Sequence, residues 1–131
     1  MERDLRVSRY AGGVTGSDEL VDAWLPLPDI AERSDLGISK VRRFVEDRSI
    51  IGVRRGDRDI FQVPELFLGA DWRPLKHLRG TLITLHDAGF DDEAAIVWLF
   101  TPDPSLPGRP IDLLRDGNKT EVRRRAQAMA L

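Results

Sequence analysis

LPDIAERSDLGISKVRRFVEDRSIIGVRRGDRDIFQV, residues 27–63, reads as two short helices joined by a tight turn and followed at once by a hairpin. Pro28 can open the first helix, because its fixed φ suits the first turn and its missing N–H is not needed there. Ile30 supplies an apolar anchor, and Ala31 a small residue where two helices cross closely. Four positions on, where such turns usually carry glycine, stands Asp35, one of the few other residue types that tolerate the left-handed conformation. Leu36 plugs the turn. Ile38, Val41, Phe44 and Val45 then recur at helical spacing and form one apolar stripe on a second helix, expected over 38–48.

The opposite face of that second helix carries the chemistry. At about 100° per residue, Ser39, Lys40 and Arg43 point away from the stripe, Arg42 lies to the side, and Glu46 and Asp47 stand further along. A helix with a cationic front half and an acidic rear half suits end-first entry into the DNA major groove, where recognition helices meet base edges with their N-terminal residues. The same charges also fit a merely solvated helix, since Arg42 with Glu46 and Arg43 with Asp47 are i,i+4 pairs. Such exposed pairs contribute only about 0.3–0.5 kcal/mol each, so a phosphate or guanine can displace them.

The hairpin follows from two runs rich in β-formers, 50–55 and 58–63, around Gly56-Asp57. Glycine at the first central position predicts a two-residue type II′ turn. That register sets Val53 opposite Ile60, Arg54 opposite Asp59 and Arg55 opposite Arg58. Two arginines facing each other at the tip cost stability, a cost that a wing gripping phosphate would explain. The candidate DNA contacts are therefore Ser39, Lys40, Arg42 and Arg43 on the helix, with Arg54, Arg55 and Arg58 on the wing; Asp59 partly neutralises Arg54. Between Lys40 and Arg58 seven basic residues stand against three acidic ones, a local excess of four on a chain of net charge -2.

The overall charge argues against a nonspecific nucleic-acid coat. At 131 residues and 41% hydrophobic content, one domain or two very small ones can be built around a modest core. The absence of cysteine rules out disulfides and thiolate metal sites. No segment resembles a signal peptide and no apolar run is long enough to span a membrane, so the expectation is a soluble cytoplasmic protein without membrane attachment.

Around the central stretch, the expected organisation is a flexible tail over 1–17, a winged helix-turn-helix over 18–68 and a helical domain over 69–131. The tail carries Arg3, Arg6 and Arg9 beside glycines and a few acids, and reads as solvated chain. Leu20, Val21 and Trp24 predict a helical turn or two over 18–25 that docks on the winged part. A short helix is expected over 64–68, then a helix carrying Leu75, Leu78, Leu82 and Leu85 that stops at Gly89. Asp91 would cap the next helix, running to about Phe100 with Trp98 and Leu99 inward. Four prolines between 102 and 110 then force an extended loop before a short helix over 111–114, and Asn118 with Glu121 predicts a capping box on a last helix through Met129.

Catalytic constellations are missing from this pattern. His77 and His86 lack metal-ligand spacing and a third ligand, and the acids Asp87, Asp91, Asp92 and Glu93 suit helix capping better than a calcium loop. There is no phosphate loop, dinucleotide fingerprint or nucleophile with its base. The sequence therefore assigns no enzymatic activity, no metal and no cofactor.

Taken together, Leu27-Pro28, Ile30-Ala31-Glu32, Ser39-Lys40-Val41, Val53-Arg54-Arg55, LITLHDAG (82–89), WLFTPDPSL (98–106) and VRRRAQAM (122–129) resemble a small actinobacterial family of winged helix-turn-helix DNA-binding regulators. The resemblance covers most of the chain from Leu27 onward and implies a mainly α protein with a small β wing, a C-terminal helical domain and double-stranded DNA as its partner. It further implies control by a Ser/Thr protein kinase, because one member is the substrate of such an enzyme and loses DNA affinity when an N-terminal threonine is phosphorylated. Thr15, the one threonine of the tail, is the candidate here, although the residues around it differ from that member's acceptor; a phosphate there would add about -1.5 to -2 charge near the basic face. TPDPSLPGRPIDLL (101–114) also resembles the toxin-binding segment of certain antitoxins. That resemblance implies an alternative function, an antitoxin or adaptor whose C-terminal helices bind a partner protein.

Overall fold

A computed structural model describes residues 16–130. Thr15 and the three arginines of the expected tail lie outside the described residues. The chain forms α1 (Ser17–Leu20), β1 (Trp24–Pro26), α2 (Leu27–Ser34), α3 (Ile38–Glu46), β2 (Val53–Arg55) and β3 (Ile60–Pro64). A 3-10 turn (Glu65–Phe67) leads to α4 (Leu78–Asp87), α5 (Asp92–Phe100), α6 (Pro110–Arg115) and α7 (Lys119–Ala128). The fold is thus mainly α with a small antiparallel sheet: a winged helix-turn-helix followed by a helical domain.

The helix-turn-helix forms as its residues predict. Asp35 ends α2 in the left-handed conformation, at φ 62° and ψ 28°, and the Leu36 amide closes on the Ala31 carbonyl at 3.2 Å. Ile30 and Val41 are fully buried between α2 and α3, while Leu36, Phe44 and Val45 pack on the rim of the same core.

The sheet departs from expectation in two ways. Residues 24–26 are not helical but extended, and pair with the central strand in the order β1-β3-β2, setting Leu25 opposite Val63. The physical cause is Pro26, which disfavours the helical region for the residue before it; only the single turn α1 is helical in this segment. The second departure is the wing register. Val53 faces Gln62, Arg54 faces Phe61 and Arg55 faces Ile60, so the connection is the four residues Gly56 to Asp59, closed by an Asp59 amide to Gly56 carbonyl bond of 3.0 Å. Gly56 and Asp59 both take positive φ, 82° and 55°, which lets a longer turn replace the predicted two-residue one. A shift of two positions leaves every side chain on its expected face.

The C-terminal helices follow their punctuation closely. Gly89 takes φ 98° after α4, with the Phe90 amide bonded to the Leu85 carbonyl and the Gly89 amide to the His86 carbonyl, a Schellman stop. The Asp91 carboxylate accepts the Ala94 amide at 2.8 Å and caps α5. Three expectations fail. Leu75 lies ahead of α4, which begins only at Leu78. Trp98 is half-buried at the rim instead of lying inward, and the capping box of α7 does not form: Asn118 makes no side-chain cap, and the Glu121 carboxylate pairs with Arg124 and Arg125 instead.

One apolar cluster runs through both halves, joining Ile30, Val41, Val63 and Phe67 to Leu82, Leu85, Leu99, Phe100, Ile111 and Val122. The Phe67 and Phe100 rings lie 5.7 Å apart, within the range of favourable aromatic pairs. Polar contacts reinforce this seam: Arg115 donates to the carbonyls of Leu66 and Leu68 at 2.9 and 2.6 Å, and Arg48 pairs with Asp92 at 3.0 Å. Among the described residues no helix is long and apolar enough to cross a membrane.

Candidate nucleic-acid interface

α3 presents Ser39, Lys40, Arg42 and Arg43 to solvent, with Val41 fully buried behind them. The i,i+4 pairs of Arg42 with Glu46 and Arg43 with Asp47 do not form. Among the described residues no carboxylate lies within ion-pair distance of Lys40, Arg42 or Arg43. Asp47 is instead held by its own turn, its Oδ1 accepting the Ser49 amide at 3.0 Å and the Ser49 hydroxyl at 2.7 Å. The front of α3 is therefore an exposed cationic surface on a buried, rigid base.

The three wing arginines occupy different environments. Arg58 stands exposed in the turn, with no carboxylate partner among the described residues. Arg54 is exposed and donates Nη1 to the Asp59 carbonyl at 3.0 Å, so it braces the turn through backbone, not through the Asp59 carboxylate. Arg55 is drawn inward. Its guanidinium lies 4.3 Å from the Trp24 ring centroid and donates to the Asp18 carboxylate from Nε at 3.1 Å and Nη2 at 2.6 Å. Arg55 thus faces Ile60 and Trp24, not Arg58, and the like-charge repulsion inferred at the tip is absent.

The base of the wing is tightly enclosed. At Gly52 a Cβ would strike the Gln62 carbonyl oxygen and approach the Phe61 ring tip to 2.9 Å, so only glycine lets the chain leave α3 and pass so close beneath β3. Behind α3, the exposed Arg79 of α4 donates Nε to the Asp47 carbonyl at 2.7 Å. This places a cation at the helix C-terminus, where the dipole favours positive charge, and offsets the acidic rear half formed by Glu46 and Asp47. Arg79, Asp18 and Trp24 were missed by sequence reasoning, since Arg79 is 32 positions from Asp47 and Asp18 is 37 from Arg55.

Within 101–114, the segment with the antitoxin-like pattern, the apolar residues are used in the chain's own packing. Leu106, Pro110, Ile111, Leu113 and Leu114 are buried. The Asp103 carboxylate accepts the Ser105 amide and hydroxyl, at 2.8 and 2.7 Å. Those two hydrogen bonds hold its pKa below the usual carboxylate range. Arg109 clamps Asp112 with two bonds of 2.8 Å, which lowers the Asp112 pKa and raises that of Arg109. No group of three or more potential metal ligands occurs among the described residues.

An exposed cationic helix on a helix-turn-helix base, flanked by a three-stranded sheet with a projecting arginine turn, defines the winged helix-turn-helix class. Residues 15–68 match the family described as "DNA-binding protein Rv2175c, wHTH domain", and residues 75–130 match its C-terminal domain of unknown function. The chain belongs to the Rv2175c family. It is 35% identical over 134 aligned residues to the DNA-binding protein Rv2175c of Mycobacterium tuberculosis, a match covering 91% of this chain and 90% of the relative. The NMR structure of Rv2175c superimposes with a TM-score of 0.75, covering 84% of this chain and 82% of that one.

Proposed function

We propose that this protein binds double-stranded DNA as a transcriptional regulator, with the N-terminal half of α3 in the major groove and the wing turn on the adjacent backbone. The observation that carries this reading is the row of exposed cations Lys40, Arg42 and Arg43, without carboxylate partners among the described residues, on a helix whose other face is buried. A helix in a groove exchanges hydration of such groups for phosphate and base-edge contacts, and arginine suits the bidentate reading of guanine. Ser39 and Arg43 are assigned to base edges, Lys40 and Arg42 to the phosphates beside them, and Arg58 to the wing contact. The name of the mycobacterial relative supports the same reading.

Fluorescence-anisotropy titration of labelled genomic duplex tests it. The Lys40→Ala/Arg43→Ala variant should keep its circular dichroism spectrum and bind at least tenfold more weakly. Selection of preferred sites should show discrimination of about 1–3 kcal/mol relaxed at one base pair when Arg43 alone is replaced. A folded double variant that binds as tightly as the parent sinks the assignment.

A further inference from the structure

Cations also gather beyond the winged part. Lys76 and His77 precede α4, and Lys119 and Arg123 lie on α7, which packs against α4. Gly80 permits the close crossing, because its missing side chain leaves room for the Arg123 guanidinium against bare helix backbone. Lys119, Thr120, Arg123, Arg124 and Gln127 line a shallow, open cavity of about 250 Å³. Arg124 is paired with Glu121 at 3.1 Å, whereas no carboxylate partners Lys76, Lys119 or Arg123 among the described residues, and the buried Arg123 Nε finds no acceptor there. His77 lies in the same cluster: desolvation, then the charges of Lys119, Lys76 and Arg123, push its pKa down.

Arg79 joins this cluster to α3. Its guanidinium bonds the carbonyl at the end of α3, and it is separated from Lys76 by only His77 and Leu78. From Lys40 to Asp47 the helix is about 10 Å long at 1.5 Å per residue, and packed helices such as α4 and α7 lie about 8–10 Å apart. Arg79 therefore stands about one α3 length, roughly 10 Å, from the end of that helix that enters the groove, and the other cations continue from it, ahead of α4 and along α7. On a chain of net charge -2, so local a gathering of like charges makes a surface suited to a polyanion.

We propose that Lys76, Arg79, Lys119 and Arg123 form a second phosphate-contacting surface, through which the C-terminal helices hold the DNA backbone beyond the groove entered by α3. This rests on the DNA-binding reading above. It gives the C-terminal domain a direct part in binding: the winged part reads the groove while α4 and α7 lengthen the footprint.

The test compares the full chain with Lys76→Gln/Lys119→Gln, which spares the Arg123 packing over Gly80, and with the quadruple variant that adds Arg79→Gln and Arg123→Gln. Each is titrated against duplexes of about one turn and about three turns at several salt concentrations. On the long duplex the double variant should bind about tenfold more weakly and its log K against log[salt] slope should fall by about 2, since each lost phosphate contact removes about 0.9; on the short duplex the loss should be smaller. In the parent, the long duplex should also raise the His77 pKa followed by NMR. Unchanged affinity and slope in the double variant, while Arg43→Ala weakens binding, overturns this inference and leaves the DNA reading standing. A parent that binds no duplex overturns both. A His77 shift produced by inorganic phosphate but not by duplex assigns the cluster to a free anion and overturns the DNA surface.

Discussion

Arg48 concentrates several forces at one position. It follows α3 with φ 63°, and the Ser49 amide bonds the Phe44 carbonyl at 2.8 Å while the Arg48 amide bonds that of Val45 at 3.1 Å, a Schellman stop normally built on glycine. The left-handed conformation costs a non-glycine residue about 1–2 kcal/mol, offset in part by the partly exposed ion pair with Asp92 at 3.0 Å. The two effects separate by substitution. Arg48→Ala keeps the strain and loses the pair, so it should lower stability in urea unfolding. Arg48→Gly loses the pair but relieves the strain, and should be more stable than the alanine variant by about 1 kcal/mol. Asp35 shows that such strain is readable: its type and place predict the left-handed turn that it adopts. At Arg48 nothing local announces the conformation, because the residue that compensates it lies 44 positions away.

Within the wing, strand pairing separates arginines that look alike in sequence. Arg55 stacks on Trp24 and pairs with Asp18, contacts that anchor β2 to the segment before α2. An exposed cation–π contact contributes about 0.5–1 kcal/mol, and the Asp18 side of the ion pair is 71% exposed, so screening keeps its contribution small. Arg55→Ala should therefore alter Trp24 fluorescence and lower stability modestly while leaving most of the DNA affinity. Arg58→Ala should leave fluorescence and stability unchanged but flatten the salt dependence of binding by about one phosphate contact. The reverse pattern would exchange their roles. The β-rich runs and their inward faces were legible because alternation is a local property; the exact register was not, since it depends on turn length and on β1, whose pairing partner lies nearly 40 positions further on.

Across the whole molecule, the shared core and the seam contacts couple the two segments matched separately by the family. Phe67 packs on Phe100, Arg115 holds the carbonyls of Leu66 and Leu68, and the Glu93 carboxylate accepts the amide and hydroxyl of Ser17 at 2.9 and 2.7 Å. A defect in one segment should therefore be felt in the other. Leu82→Ala, at a fully buried position of α4, should cost about 2–5 kcal/mol and shift the urea midpoints of far-ultraviolet circular dichroism and tryptophan fluorescence together. Two separated transitions, with only one displaced, would mean that the halves unfold independently.

Local pattern alone was enough for the helix-turn-helix, the cationic front of α3, the glycine stop after α4 and the aspartate cap of α5. Each depends on helical periodicity or on turn and cap chemistry within a few residues, so each is already present in the order of the amino acids. Folding in three dimensions added the third strand, the wing register, the anchoring of Arg55 and the cation that Arg79 sets behind the acidic end of α3. Apart from the wing register, whose pairs lie five to nine positions apart, these join residues some 30 to 40 positions apart. No nearest-neighbour preference encodes such meetings, which arise only when burial of a common core offsets the entropy of closing the intervening chain.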